Sequence, residues 1–235
     1  MENYLPTVSS KEELKELIDR IGFLPFFRCG INGFSLKDAA DPSIWFVEGV
    51  EGPWEWKCDA GVYGKLFRGK AVFMTPEWYA ILACYRRDGY DAEGMYEDGL
   101  LPHEALHIME ELEKGYAPGA ALAGAGSFHG LGVLSTDLRA RTGMTDKASG
   151  FDNFINVLQM KCFVLPTSFE YAIDRHGRPY GWGLARYSLS DAKYGRLIEA
   201  AEAKYTPAEA KALLIKHVIE ICPNATEKQA ERLIR

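Results

Sequence analysis

Residues 151–187 constrain the fold of this chain more than any other segment. The first ten carry apolar side chains at the helical spacing i, i+3, i+4, i+7: Phe151, Phe154, Ile155 and Leu158. This spacing is typical of a helix that packs one face on a core. Asp152, Asn153, Asn156 and Gln159 are predicted to share the opposite, solvated face.

The residues after this helix predict a β-hairpin. Residues 163–165 read as a short strand that Pro166 interrupts, and residues 169–173 alternate like a second strand. Residues 182–186 alternate again, after the turn sequence Arg-His-Gly-Arg-Pro at 175–179. The whole segment therefore predicts a helix and a hairpin with a basic tip.

A helix followed by a basic hairpin is typical of the recognition helix and wing of a winged helix-turn-helix. Two earlier helices complete the unit, one at 102–114 and one at 136–142 with Ser135 as its cap. We therefore predict an α+β fold with winged helix-turn-helix units, an aromatic-rich N-terminal part and a helical C-terminal cap. The expected domains are 1–100, which could itself be a degenerate winged helix, 101–189 as the winged unit, and 190–235 as packing helices.

The charge distribution and the polar helix face make DNA a candidate partner. The net charge is −6, yet residues 135–187 hold seven Lys and Arg against five acidic residues. The amides of Asn153, Asn156 and Gln159 could pair with adenine edges in a major groove. Contacts to flanking phosphates are predicted for Lys147, Arg175, His176 and Arg178. The alternative is a solvated helix face in a non-catalytic module that binds protein.

An aromatic group in the N-terminal part suggests a pocket. If residues 54–57 form a strand, Trp54 and Trp56 lie on the same side of it. The predicted pocket consists of Trp54, Trp56, Lys57, Tyr63 and Trp78. Such a cleft could stack a base removed from a duplex. The alternative is that these aromatic side chains form part of the core.

The string His103-Glu104-Ala105-Leu106-His107 matches the H-E-x-x-H motif of zinc hydrolases. Histidines four residues apart share a helix face, so a hydrolase using His103, Glu104 and His107 is a third candidate function. The motif follows Pro102 directly and has no third ligand at a familiar spacing. We therefore predict neither a metal nor another cofactor.

The sequence predicts a cytoplasmic protein without a membrane partner. No apolar run approaches the roughly 20 residues that a membrane-spanning helix needs, and no secretory signal begins the sequence. The five cysteines lack a C-x-x-C spacing, which favours reduced thiols. A protein partner remains open.

Seven strings resemble the AlkZ-related proteins, which are grouped with winged-helix DNA glycosylases of alkylated or crosslinked bases. They are GFLPFF (22–27), GPWEWK (52–57), YGKLFRGKAVFMTPEWY (63–79), YRRDGYD (85–91), YEDGL (96–100), FDNFINVLQM (151–160) and RHGRPYGWGLARY (175–187). The resemblance spans roughly residues 22–187. It implies tandem winged-helix units and a role in DNA repair.

The sequence departs from those glycosylases at one chemical feature. The resemblance implies a Gln-x-Gln or Gln-x-Asp pair that positions the attacking water. Gln159 and Gln229 are the glutamines of this chain, and Lys161 and Glu231 stand two residues after them. No catalytic residue is therefore assigned, and whether the protein is an enzyme is left open.

Overall fold

The computed structural model describes residues 4–47, 50–114, 132–177 and 179–235, with only the backbone described at 179, 180 and 182. The helices are α1 (Lys11–Ile21), α2 (Leu36–Ala39), α3 (Pro76–Arg87), α4 (Ala92–Glu97), α5 (His103–Lys114), α6 (Ser135–Thr142), α7 (Phe151–Met160), α8 (Asp191–Lys204), α9 (Pro207–Ile221) and α10 (Glu227–Ile234). The strands are β1 (Phe23–Pro25), β2 (Val62–Phe67), β3 (Lys70–Met74), β4 (Val133–Leu134), β5 (Val164–Ile173) and β6 (Pro179–Leu189). The predicted mixture of helices and strands is confirmed.

The chain divides into two compact units. The first consists of Met1–Gly89 with Arg196–Arg235, and the second of Tyr90–Gly195. Each unit contains one three-stranded antiparallel sheet, of order β1-β3-β2 in the first and β4-β6-β5 in the second. In both sheets, the second hairpin strand lies between the first hairpin strand and a short earlier strand.

Capping side chains fix the helix ends of the first unit. The backbone N–H of Glu13 donates to Ser10 Oγ at 3.2 Å at the start of α1, which ends at Gly22 with φ 81°. Thr206 and Thr226 begin α9 and α10, each within a capping box. In the sequence each of these starts has Ser or Thr followed three residues later by Glu or Gln, a spacing that predicts a helix start, and all three are confirmed.

Aromatic side chains fill the core of the first unit. The largest fully buried ones are Phe23, Phe26, Phe34, Phe73 and Tyr79. Fully burying a side chain of this size contributes about 1.5–3 kcal/mol to the free energy of folding. This core supports the β1-β3-β2 sheet and helix α3, which packs on α9.

The second unit packs α5, α6 and α7 against its sheet around a core that includes Ile108, Leu138, Phe151 and Leu158. Strand β5 runs unbroken through Pro166, so the predicted interruption there is wrong. The register shifts between Pro166 and Ser168 instead. In the described sheet β5 is an edge strand, which is where a sheet tolerates proline.

The start of α6 also differs from the prediction. Ser135 is its first residue rather than its cap, and Leu134 precedes it without a side-chain hydrogen bond to the helix. The reason is that Val133 and Leu134 pair with Tyr187 and Arg186 of β6. The strand therefore leads directly into the helix and leaves Ser135 no extended position from which to cap it.

Within the part of the chain that is described, none of the helices combines the length and the apolar character needed to cross a membrane.

Candidate nucleic-acid interface

Helix α7 presents one of its predicted contact residues to solvent. It starts after Gly150, at φ 76°, and buries Phe151, Ile155 and Leu158 as the apolar spacing predicted. Asn153 is exposed on the other side. Its amide is therefore available to an external hydrogen-bonding partner.

Gln159 was predicted on the solvated face, and this placement is wrong. Its side chain is only 2% exposed. At 3.6 residues per turn, Gln159 lies about 40° around the helix axis from Ile155, which is buried. Gln159 therefore lies at the border of the apolar face, and its side chain is buried with that face.

Asn156 occupies an intermediate position. The residue is half-buried, and its Oδ1 atom is inaccessible to solvent and has no hydrogen-bond partner among the described residues. A buried polar atom without a partner costs free energy. Asn156 thus offers less of its amide to a ligand than the sequence pattern suggested.

Lys147 lies just before α7, in a single 3-10 turn spanning Lys147–Ser149. Asp146 caps this turn by accepting the backbone N–H of Ser149 at 2.7 Å. The lysine is exposed, and Gly150 separates the turn from α7. Lys147 and Asn153 therefore lie on adjoining turns of the chain.

The hairpin between β5 and β6 carries the predicted basic tip. Gly177, at φ 78°, donates its N–H to the carbonyl of Asp174 at 3.0 Å and closes the turn. Arg175 and His176 are both exposed, and Arg175 Nε donates to His176 Nε2 at 3.0 Å. Arg178, which was also predicted to contact phosphate, lies outside the described residues. The tip thus presents the cation of Arg175 to solvent.

Two of the cations counted in residues 135–187 are paired within the unit. Arg139 bonds the carboxylate of Asp152 at 2.7 Å. Arg186 Nε donates to Glu170 Oε1 at 3.0 Å, and its guanidinium also reaches the carbonyl of Gly132 at 2.9 Å. These two arginines stabilise the unit and contribute little positive charge to its surface.

The structure separates the predicted aromatic pocket into different environments. Residues 53–59 form turns rather than a strand, because the N–H of Glu55 bonds back to the carbonyl of Gly52 directly before Pro53. Trp54 packs 4.7 Å from the ring centroid of Phe26, and Tyr63 lies 6.4 Å from the same ring. These two residues are half-buried on one aromatic cluster.

The other predicted pocket residues are turned inward or lie elsewhere. Trp56 is buried and donates its Nε1–H to Glu51 at 3.0 Å. Lys57 is 7% exposed, with its ammonium 5.6 Å from the ring centroid of Trp54, and burial lowers its pKa. Trp78 stacks on His217 at 3.8 Å. The prediction that these five residues form one open cleft for stacking a base is therefore wrong.

The H-E-x-x-H string lies in the first turns of α5. His103 and Glu104 are exposed, and the ring of His107 lies 6.5 Å from that of His103. His107 Nδ1 is 3.3 Å from Glu110 Oε2. In the described ranges, no group of three or more His, Cys, Asp or Glu side chains is arranged to hold a metal ion.

The sequence reading missed a basic pocket in the first unit. Its volume is about 350 Å³, and its lining includes Arg28, Arg68, Lys70, Gln229 and Arg232. Its hairpin turn, Arg68-Gly69-Lys70, can be read in the sequence but was not predicted as a site. Two cations flanking a hairpin glycine could have indicated it, because the same pattern was noted at 175–178.

One protein family, described as AlkZ related, has a model that matches residues 8–235 of this chain. No curated protein and no solved structure matches it.

Proposed function

The chain belongs to the AlkZ-related family, and from that premise we propose that it is a DNA-binding protein of the repair-glycosylase group. The proposed reader of DNA is a winged helix-turn-helix in the second unit. One observation carries this proposal, namely the element order α5-β4-α6-α7-β5-β6 with sheet order β4-β6-β5. A winged helix has this order of helices and strands, with α7 as recognition helix and the β5–β6 hairpin as wing.

The exposed groups of this unit support the assignment of roles. Asn153 on α7 is exposed, and we assign it a hydrogen bond to a base edge. Lys147 before the helix and Arg175 on the wing supply cations for backbone phosphates. His176 accepts from Arg175 and helps to orient it. Arg178 is proposed as a further phosphate contact from its position in the sequence.

The first unit repeats part of the same order. Helix α1, strand β1, the short helix α2 and the β2–β3 hairpin follow one another, and the sheet order is again that of short strand, second hairpin strand and first hairpin strand. We propose that this unit is a degenerate winged helix in which turns at 53–59 stand where a recognition helix would lie. This supports a tandem arrangement like the one that the family resemblance implies.

The proposal covers recognition of DNA rather than excision of a base. The Gln-x-Gln or Gln-x-Asp pair is missing from the sequence. Gln159, the glutamine of α7, is buried, so we do not assign it the role of positioning a water molecule. We therefore propose that this chain shares the fold and the DNA-binding surface of these glycosylases, but not their catalytic pair.

Full-length protein with labelled duplex DNA tests the proposal, measured by fluorescence anisotropy at several low salt concentrations. Replacing both Lys147 and Arg175 by Ala should weaken binding and shallow the log–log salt slope by about 1.8, or about 0.9 for each lost phosphate contact. Lys114→Ala is the control for loss of a cation in the same unit, since Lys114 is paired with Glu111. Wild-type protein without salt-sensitive duplex binding would contradict the proposal.

Two exposed aliphatic side chains favour a second candidate, a protein-interaction module. Ile173 is 60% exposed and Leu184 is 44% exposed, both on the hairpin. Apolar groups on a wing can pack against a partner protein. In that case Ile173→Ser would abolish partner binding. Lys147→Ala and Arg175→Ala would cause no DNA-related defect.

A further inference from the structure

The basic pocket of the first unit has a strong excess of positive charge. Its cationic residues are Arg28, Arg68, Lys70 and Arg232. Asp38 neutralises Arg28 through a 2.6 Å contact to Nε. Among the described residues, neither Arg68 nor Arg232 forms an ion pair. This charge contrasts with the net charge of −6 of the whole chain.

The pocket also has fixed walls. Gln229 Nε2 donates to the carbonyl of Gly30 at 3.1 Å, and this bond ties α10 to the loop after β1. The same glutamine accepts the backbone N–H of Thr226 at 2.9 Å, within the capping box of α10. The ammonium of Lys70 lies 3.5 Å from the carbonyl of Arg28. The cations therefore stand on elements that are held together without a ligand.

Arg68 adopts a backbone conformation that its side chain does not favour. It has φ 53° and precedes Gly69 at φ 70°, in the two-residue turn between β2 and β3. Turns with positive φ at both positions prefer Asn-Gly or Asp-Gly. Arginine at the first position leaves the backbone strained, and its guanidinium lines the pocket. Strain of this kind is often retained at binding sites.

An exposed aromatic patch adjoins the pocket along the chain. Phe27 is 39% exposed and Phe46 is 58% exposed. Their rings lie 5.6 Å and 4.4 Å from the ring of Trp54. Trp45 completes the patch, with the ammonium of Lys37 at 4.3 Å from its ring centroid. We call these four rings the aromatic patch.

Two pairs of consecutive residues join the patch to the pocket. Phe27 belongs to the patch, and the next residue, Arg28, lines the pocket. Lys37 lies over the patch, and the next residue, Asp38, binds Arg28. A cationic pocket and a face of aromatic rings thus belong to one unit and are linked through neighbouring residues of the chain. This combination favours a ligand that carries both phosphates and exposed aromatic bases.

We propose that the first unit binds a single strand of DNA, with backbone phosphates in the basic pocket and an unpaired base against the aromatic patch. The proposal rests on the proposed function, since it names the form of DNA that this unit takes. A single strand fits better than a duplex because the base faces of a duplex are stacked on each other and cannot reach the rings. In repair of a damaged base, such a strand forms wherever the duplex opens.

The test uses full-length protein and a labelled oligothymidylate of about ten nucleotides, within the site size of known single-strand binders. Arg68→Ala with Arg232→Ala should weaken binding about tenfold and shallow the salt slope by about 1.4, or about 0.7 for each lost contact. The control pair Arg20→Ala with Lys216→Ala removes the same charge from exposed positions outside the pocket. It should keep binding within about twofold.

A second variant excludes loss of folding as the cause. Arg68→Gly removes the guanidinium and at the same time suits the positive φ, so the turn should form at least as well as in the wild type. It is expected to bind the oligonucleotide more weakly while its melting temperature stays equal or rises. Unchanged affinity in both Arg68→Gly and the double variant would overturn the proposal.

The aromatic half has a test of its own. An abasic strand of the same length keeps every phosphate and lacks the bases, so the wild type should bind it about tenfold more weakly than oligothymidylate. Phe46→Gly, at φ 58°, should reduce this difference and leave abasic binding unchanged. Binding should also quench the fluorescence of Trp45 or Trp54. Equal affinity for both strands would overturn the stacking of a base.

Failure of this inference can be separated from failure of the proposed function. This inference alone would be overturned if duplex binding depends on Arg175 while single-strand binding is unchanged by the substitutions of Arg68 and Arg232. Wild-type protein that binds neither strand form would overturn both.

Discussion

The guanidinium of Arg139 lies over the ring of Phe151, 4.3 Å from its centroid, and also bonds Asp152 at 2.7 Å. Arg139 belongs to α6, and the other two residues begin α7. This single side chain therefore fixes the start of the proposed recognition helix against the helix before it. We therefore expect Arg139 to position α7.

Arg139→Ala should consequently lower the free energy of unfolding by about 1 kcal/mol. The contact with the ring contributes about 0.5–1 kcal/mol. The ion pair adds little, because Asp152 is mostly exposed and solvent screens it. Urea denaturation measures the change. Arg141→Ala, at an exposed site on the same helix, should stay within about 0.5 kcal/mol of wild type. Equal effects of the two substitutions would contradict the role given to Arg139.

Substitutions in α7 should follow burial rather than the simple apolar spacing. Leu158→Ala is expected to cost about 2–5 kcal/mol, since Leu158 is fully buried. Phe154→Ala should cost less, because Phe154 is half-buried. Asn156→Ala should be close to neutral, since it removes a buried oxygen without a described hydrogen-bond partner. The free energies of unfolding of the three variants give the order. A larger loss for Asn156→Ala than for Leu158→Ala would contradict it.

These cases indicate what could be predicted from the sequence. Helix starts such as Ser10, Thr206 and Thr226 depend on side chains within one turn, so local spacing was enough to predict them. The strand considered at 54–57 does not form, because the backbone N–H of Glu55 bonds to the carbonyl of Gly52 and makes the segment a turn. The basic pocket joins Arg28 and Arg68 to Arg232, which are distant in sequence. The local pattern at 68–70 marks two of the pocket's cations, but no local pattern brings Arg28 and Arg232 to them.

A substitution of Gly22 tests the packing at the end of α1. A Cβ atom there would lie 2.4 Å from two atoms of the Trp78 ring and 2.8 Å from His217 Nε2, and φ is +81°. Gly22→Ala should therefore lower the free energy of unfolding by more than about 2 kcal/mol. Gly89→Ala is a matched control, with the same φ of +81° and no atom within 4 Å of the added Cβ. The control should cost only the backbone strain, about 1–2 kcal/mol. Equal losses would mean that Trp78 and His217 move aside.

His217 should make stability depend on pH. Its Nε2–H donates to the carbonyl of Ile21 at 2.8 Å, and burial lowers the pKa of the imidazole. In the unfolded chain the pKa is about 6.5. Below that pH, and down to the lower folded pKa, the unfolded state binds more protons, so stability falls as the pH falls. Above about pH 6.5 this residue adds no pH dependence.

The measurement is the free energy of unfolding from pH 7.5 down to pH 5. His217→Phe keeps a ring against Trp78 and removes the titrating group, so its curve should fall less steeply than that of the wild type. The variant should be less stable at pH 7.5, because the bond to Ile21 is lost. Parallel curves for the two proteins would contradict the assignment of this pH dependence to His217.

Asn153 and Gln159 should behave in opposite ways, although both were predicted as base contacts. Asn153 is exposed, so Asn153→Ala should change the preference among duplex sequences and leave the salt slope and the stability nearly unchanged. Gln159 is buried, so Gln159→Ala should lower the free energy of unfolding by about 1–3 kcal/mol. At a temperature where this variant remains folded, it should keep the wild-type sequence preference. Competition binding with a set of duplexes, combined with urea denaturation, separates the two effects. A shift of sequence preference in Gln159→Ala with unchanged stability would mean that Gln159, rather than Asn153, faces the DNA.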